Sequence, residues 1–478
     1  MELVEEAWNV AKSQQLWQPN STIVVAVSGG PDSMALLHIL HSIALRDSLQ
    51  LVVAHVNHGF RPGESAAEYE LVRQAAKQLA LICEYTELDM PLYLQENRGN
   101  SQAASRQRRY AFLYEVCERH NANYIALAHH GDDQAETVLM HILRGTGISG
   151  LSGMAMKRSE KNVELIRPLL RMRKDDLIVY CQEQQIRYVN DSSNEHRDYF
   201  RNKIRLDVIP YLETFNPKLT QSLARLADVA GVEDDWMQQQ VNQMFVEDVK
   251  HQDQSIIINC KVLLDAHVAL QRRLIKLILS YLSQEVTSIS FEGIERIRWA
   301  AGNTATSTYR IDVGEGIVCV REYDILRFVH SNNYLLFQST KAKTLIIEQQ
   351  QLPCMVQYGN WSISCKLYEG DAQLPSPASR YEAVFDYDTI SFPLTIRSRL
   401  TGDRMNVIGL NGTKKVQDMF VDEKIAISER DTYPILLQHS NQIIWLPGVR
   451  RSSYSLVNEQ TNTYIVITCF KVSSKSGL

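Results

Sequence analysis

One hexapeptide constrains the fold of this chain more than any other feature. Ser28, Gly29, Gly30, Pro31, Asp32 and Ser33 (SGGPDS) follow a short β-branched run, residues 23–27 (IVVAV), and precede the helically spaced Met34, Leu36, Leu37, Ile39 and Leu40. A short apolar run bounded by turn residues is expected to form a strand buried on both faces of a parallel sheet. Glycines let the backbone adopt positive φ and approach a ligand closely. The following helix aims unpaired N–H groups and the positive end of its dipole at an anion. Ser28 and Ser33 would add hydroxyl donors. Asp32 would repel a phosphate unless a divalent cation lay between them, so it reads as a Mg²⁺ ligand. The loop is neither a Walker A nor a GxGxxG motif. Taken alone, a plain strand–turn–helix with Ser or Asp as N-cap weighs as much. A place at the C-terminal end of the first strand of a doubly wound sheet favours phosphate binding.

The alternation continues. Strands are expected at residues 51–56, 82–88 and 124–128, and helices at 32–43, 64–81, 101–120 and 132–143. Repeats at this spacing predict βαβ units in an α/β, doubly wound, mostly parallel sheet. After Arg144 the pattern weakens into a Gly-rich stretch and a basic segment, read as a long loop. From 217 to about 301 the apolar residues recur at three and four, predicting a mainly helical middle region. Short β patterns dominate from 304 onward. The expected domains are 1–213, 214–345 (mainly helical with β additions) and 346–478 (mainly β).

Composition excludes several classes. With 50 lysines and arginines against 55 acids in 478 residues, and 45% hydrophobic residues, the chain is an ordinary globular one. No apolar run approaches the roughly 18 residues of a membrane span, and no basic-then-apolar leader is expected at the N-terminus. The eight cysteines form no CxxC pair, so buried reduced thiols in a cytoplasmic protein are expected.

SGGPDS resembles the PP-loop of the N-type ATP pyrophosphatases, enzymes that cleave ATP between the α- and β-phosphates and adenylate a substrate oxygen. Further segments narrow the resemblance: HVNHGFR at 55–61, AASRQRRY at 103–110, AHHGDDQAET at 128–137, RGTG at 144–147, RPLL at 167–170, DSSN at 191–194 and RNKIR at 201–205. Near the C-terminus come Gly402, Asp403 and Arg404, then KKVQD at 414–418 and WLPG at 445–448. Their order and spacing are similar to the tRNA(Ile)-lysidine synthetase family. That resemblance implies ATP and Mg²⁺, L-lysine, and an isoleucine tRNA with a CAU anticodon, whose wobble cytidine receives the lysine at C2. It is compatible with a homodimer; the sequence does not set the oligomeric state.

The chemistry needed agrees with the residues. The O2 of cytosine is a poor leaving group until it carries AMP, after which an amine can displace it. Asp133 and Glu136 share a helix face at i,i+3 and are assigned to lysine or Mg²⁺. His129 and His55 are assigned to the nucleotide. As alternatives, acids in a first turn stabilise a helix by about 0.3–1 kcal/mol each, and a structural role for His58 weighs equally with ligand contact. Arg106 and Arg109 are placed at the α-phosphate or the adenylated cytidine, Arg201 and Arg205 at lysine or tRNA. The catalytic set expected from the resemblance is Asp32, Arg109, Asp133 and Glu136. Three basic sets are expected to face RNA phosphates: Lys157 to Lys174; Arg197 to Arg205; and Arg397, Arg399, Arg404, Lys414, Lys415, Arg450 and Arg451. The rivals are a tRNA thiolase of the same fold and a non-catalytic nucleotide- or RNA-binding protein.

Overall fold

The computed structural model describes residues 2–57, 59, 62–91, 93, 101–189, 200–252, 254–283, 290–333, 343–369, 376–409 and 412–472, with backbone alone at 62–65, 101 and 102. His58, Arg61, the DSSN segment and Arg197 lie outside the described residues. The chain divides into two compact units, Met1–Met237 and Gln238–Leu478.

The first unit runs α1 (Glu2–Ser13), β1 (Thr22–Ala26), α2 (Pro31–Asp47), β2 (Gln50–Asn57), α3 (Pro62–Gln78), β3 (Ile82–Glu87), α4 (Ser101–Arg119), β4 (Tyr124–Ala126) and α5 (Gly131–Leu143). It continues with α6 (Ile148–Leu151), β5 (Lys157–Glu160), β6 (Val163–Ile166), α7 (Lys174–Glu183), α8 (Phe200–Lys203), a π-helical turn (Ile204–Val208) and α9 (Ile209–Glu213). The unit division falls within α10 (Leu219–Asp248). The sheet order is β3-β2-β1-β4-β6-β5. All neighbours are parallel except β5, which runs antiparallel to β6 at the edge.

Alternation along the strands builds two cores. Ile23 and Val25 pack with Leu36, Leu40 and Leu177 on one face. Val24, Ile125 and Leu165 pack with Leu113 and Val116 of α4 on the other. A strand buried on both faces explains why its sequence is apolar throughout.

The stretch after Arg144 corrects the expected loop. It holds β6, whose Leu165 and Ile166 pair with Ile125 and Ala126 of β4 and are buried on opposite faces. Four residues are too few for periodicity to declare a strand; pairing with β4 supplies the missing stabilisation.

In the second unit a hairpin, β7 (Lys250–Gln252) and β8 (Ser255–Asn259), interrupts the expected helical stretch. Helices α11 (Cys260–Asp265), α12 (Val268–Leu282) and α13 (Phe291–Gly302) follow, then β9 (Thr308–Gly314), β10 (Ile317–Glu322) and β11 (Ile325–His330). Strands 7 to 11 form one antiparallel sheet sharing a core with these helices. Beyond 345 a four-stranded and a five-stranded sheet enclose a further core centred on Phe385, Phe420 and Trp445. The two parts of this unit are joined by Glu322, which accepts hydrogen bonds from the Ser428 amide (2.8 Å) and hydroxyl (2.7 Å).

The packing of α1 against α2 is pinned by a buried carboxylate. The Trp17 indole donates to Asp47 at 2.9 Å and Lys12 pairs with it at 2.8 Å. Burial pushes the Asp47 carboxyl up, but the Lys12 and Trp17 hydrogen bonds with the Lys12 charge outweigh it, so its pKa lies below the ordinary value. The stabilisation is therefore present above about pH 3.9 and lost as pH falls through the lower, folded-state pKa. Asp47→Ala strands the indole N–H and is expected to cost about 1–3 kcal/mol by urea unfolding at neutral pH, with a smaller deficit in strong acid.

Candidate active site

Strand order reverses beside β1: the chain passes from β1 to β2 and β3 on one side, then crosses to β4 on the other. The crevice outside the carboxyl ends of β1 and β4 is the topological switch point, where open α/β sheets bind ligands. The SGGPDS loop leaves β1 there, and the HHGDD segment leaves β4.

The loop is shaped by its own serine. The Ser33 Oγ accepts from the amides of Ser28 (3.1 Å) and Gly29 (3.2 Å), and donates to the Gly30 carbonyl (3.0 Å). It is thus a builder of the loop, with the Ser28 hydroxyl 3.2 Å away. Gly29 sits at φ +97°, a conformation that side-chain-bearing residues rarely adopt. Gly30 is the N-cap of α2, Pro31 stands in its first turn, and no side chain caps the helix. The α2 N-terminus therefore keeps unpaired amides facing the crevice mouth.

Asp32, in that first turn, has Oδ1 buried without a partner. Its Oδ2 lies 3.6 Å from His130 Nε2 and 3.9 Å from Lys174 Nζ. His130, 2% exposed, also lies 3.4 Å from Asp133 Oδ2 and 3.5 Å from Asp132 Oδ2. Burial alone would lower its pKa, but Asp132, Asp32 and Asp133 together raise it to about 10. His130, its protonated form favoured by these carboxylates, therefore ties the β1 loop to the first turn of α5 by charge. Asp132 also accepts the Lys174 amide at 2.9 Å, anchoring α7 to the same point.

Asp133 and Glu136 do face one way, and they meet the two arginines of RNKIR. Arg201 Nε donates to Glu136 Oε2 at 2.7 Å and its NH2 to Asp133 Oδ1 at 3.0 Å. Arg205 donates to both Glu136 oxygens and, at 3.0 Å, to Asp133 Oδ1. Glu136 is 1% exposed, with both oxygens taken by these guanidinium groups. Burial raises the Asp133 pKa, but the charges of His130, Arg201 and Arg205 prevail and hold it below the ordinary carboxylate value.

The remaining assigned residues lie around this cluster. His55 donates Nδ1–H to the Val27 carbonyl (2.8 Å), leaving Nε2 buried and unpaired, and stacks on Tyr85 with centroids 5.9 Å apart. Burial lowers its pKa, against the Val27 bond. The Arg109 Nε is buried without a partner, and burial lowers its pKa. Arg106 is exposed and lies over the Tyr110 ring at 5.0 Å. Sequence reasoning missed His130, and it placed Arg167 in the RNA-facing stretch from Lys157 to Lys174; the structure corrects this, since Arg167 is buried and donates to His129 and the Ala155 carbonyl. The doubled histidine after a strand was the available signal, since neighbouring residues there face opposite ways.

The basic sets are largely paired within the chain. Lys157 meets Glu164 (2.8 Å), Arg171 meets Asp228 (3.1 Å) and Arg173 meets Asp175 (2.8 Å). Arg397 meets Asp403 (2.7 Å), Arg399 meets Asp431 (2.9 Å) and Arg450 meets Glu423 (3.2 Å). Arg397–Asp403 is largely buried and bonded through both carboxylate oxygens; the more exposed pairs are worth about 0–1 kcal/mol, so there a phosphate can replace the carboxylate.

Residues 4–212 match the family model of the PP-loop domain, and residues 394–467 that of the TilS substrate C-terminal domain. A tRNA(Ile)-lysidine synthase of Bacillus subtilis is 36% identical over 443 residues, covering 91% of each chain. One of Bacillus cereus is 33% identical over 483 residues, 99% of this chain and 98% of its own. This chain belongs to the tRNA(Ile)-lysidine synthase family. A solved U34-tRNA thiolase of Methanococcus maripaludis aligns with 47% of this chain and 77% of its own at 18% identity and TM-score 0.41.

In this lysidine synthase family member the acid–arginine cluster also carries local stability. Arg205→Met leaves the buried Glu136 carboxylate with one guanidinium. The expected cost is about 1.5–3 kcal/mol, read by urea unfolding, and Glu136→Gln in the same chain should recover part of it.

Proposed function

We propose that this chain uses ATP to join L-lysine to C2 of the wobble cytidine in the CAU anticodon of an isoleucine tRNA. The cytidine O2 attacks the α-phosphorus and pyrophosphate leaves. A lysine amino group then attacks C2, loses a proton, and AMP departs carrying O2. The observation that carries this reading is the His130 clasp, which sets the β1 loop and the α5 acids around one crevice in a member of this family.

The loop amides and the α2 N-terminus suit the phosphates. The orphaned Asp32 Oδ1 suits Mg²⁺, which is commonly held by one or two carboxylates plus substrate phosphates; when bound, it supplies charge neutralisation on those phosphates. His55 and His129 are assigned to the nucleotide, and Arg106 and Arg109 to the α-phosphate or the adenylated cytidine. A free amino acid carries both signs of charge. Asp133 and Glu136 with Arg201 and Arg205 offer both, so we assign lysine to that cluster, its entry displacing part of the arginine pairing. Residues 1–213 are assigned to catalysis, and 214–345 and 346–478 to tRNA contact. The reaction belongs in the cytoplasm. A second copy, as a homodimer, is the further partner proposed, and sedimentation of the full chain at several concentrations reads it directly.

Sulfur transfer is disfavoured by the thiols. Burial pushes all eight above the ordinary value, Cys181 to about 11 and Cys117 to about 12. Thiols so shifted are poor nucleophiles at neutral pH.

Pyrophosphate release with ATP, an isoleucine tRNA transcript and lysine tests the reading. Asp32→Asn is expected to lower it by at least about 100-fold, the scale of losing a charge-stabilising group. Glu136→Ala should abolish lysine incorporation; unchanged incorporation removes that assignment. Binding of the tRNA should weaken at least about tenfold between low and physiological salt. A flat response would exclude the basic sets as its docking surface.

A further inference from the structure

Arg167 is an unusual residue to bury. It follows β6, is 4% exposed, and among the described residues no carboxylate pairs with it. Its NH1 donates to the Ala155 carbonyl at 2.5 Å, and its amide to the Met156 carbonyl at 2.9 Å. Its Nε donates to His129 Nδ1 at 3.2 Å. Desolvating a guanidinium without a counter-ion is costly, so its burial calls for a purpose beyond packing.

The donor inventory decides the protonation of His129. A guanidinium has five N–H donors and no acceptor. His129 Nδ1 must therefore present its lone pair, and the ring proton must sit on Nε2. Protonating Nδ1 would break this bond and set two cations in contact. The groups bearing on His129 are Asp133 from α5, Arg167, Arg201 from α8 and Arg109 from α4. Burial and the three arginines oppose an imidazolium, Asp133 favours it, and the resulting pKa is about 4. No described residue takes a hydrogen bond from Nε2, and the ring is only half-buried.

We propose that Arg167 is a positioning residue that locks His129 as the neutral Nε2–H tautomer, so that His129 offers the bound nucleotide a hydrogen-bond donor that does not ionise. The nucleotide part rests on the assignment of His129 above; the lock rests on Arg167 alone. The consequence is a division between adjacent residues: His130 lies among three carboxylates, and His129 is a neutral donor among arginines. A neutral imidazole N–H can bind a phosphate or ribose oxygen through both chemical steps without giving up its proton.

The test is nitrogen NMR of the full chain carrying ¹⁵N-labelled histidine, with His129 assigned by its loss in His129→Gln. In the wild type, Nδ1 should read as unprotonated and Nε2 as protonated, unchanged from about pH 8 to about pH 5.5. Arg167→Met should mix the tautomers and let the ring titrate near the ordinary histidine value of about 6.5. Arg167→Lys, still a donor without an acceptor, should keep Nε2–H and so separates the lock from any folding defect. The pyrophosphate-release pH profile should gain an acid-side ionisation near about 6.5 in Arg167→Met only. A wild-type His129 that carries its proton on Nδ1, or titrates like an ordinary histidine, overturns the lock. ATP should shift Nε2 of the wild type; no shift with the lock intact would overturn the nucleotide assignment and leave the lock standing.

Discussion

The structure around the site depends on one buried histidine. His130 sits within 3.6 Å of carboxylates from two different βα connections, Asp32 after β1 and Asp132 and Asp133 after β4. Each acid would otherwise repel the others across the crevice. One cation shared among them lets three carboxylates approach without neutralising by protonation, and holds the phosphate loop at a set distance from the α5 acids. Lys174, donating its amide to Asp132 and lying 3.9 Å from Asp32, extends the tie to α7.

Around this tie the charges are sorted by face. Asp133 and Glu136 lie on the α5 side with Arg201 and Arg205, a compensated cluster of both signs. Beyond it lie Arg106, Arg109 and Arg167, for which no carboxylate lies within pairing distance among the described residues. An acid-compensated pocket suits a zwitterionic amino acid, and an uncompensated basic one suits phosphate. The crevice thus presents two chemically different walls, one compensated and one basic.

Much of the first unit was legible in the chain itself. The β-branched runs, turn glycines and helical spacing place β1, α2, β2, α4, β4 and α5 within a few residues of where they stand. The last two strands of the sheet were not legible: β5 reads KRSE and β6 VELI, too short to differ from loop until β6 pairs with β4 and β5 with β6. The β7–β8 hairpin was hidden likewise inside a helical stretch. At the site, side-chain types were legible but their partners were not. Arg201 and Arg205 lie 65 and 69 residues from Glu136, and no local pattern links residues so separated.

Sequence alone determined the sheet class, the glycine loop after the first strand, the acid-bearing helix after the fourth strand and, through motif order, the kind of chemistry. These are local matters of periodicity, backbone freedom and residue type. Only the tertiary structure decided which charges meet: that His130 lies among three acids, that Glu136 is already claimed by two arginines, and that Arg167 is buried against His129. Pairing and protonation follow from distance and desolvation, and both come into being when the sheet brings separate loops to one edge.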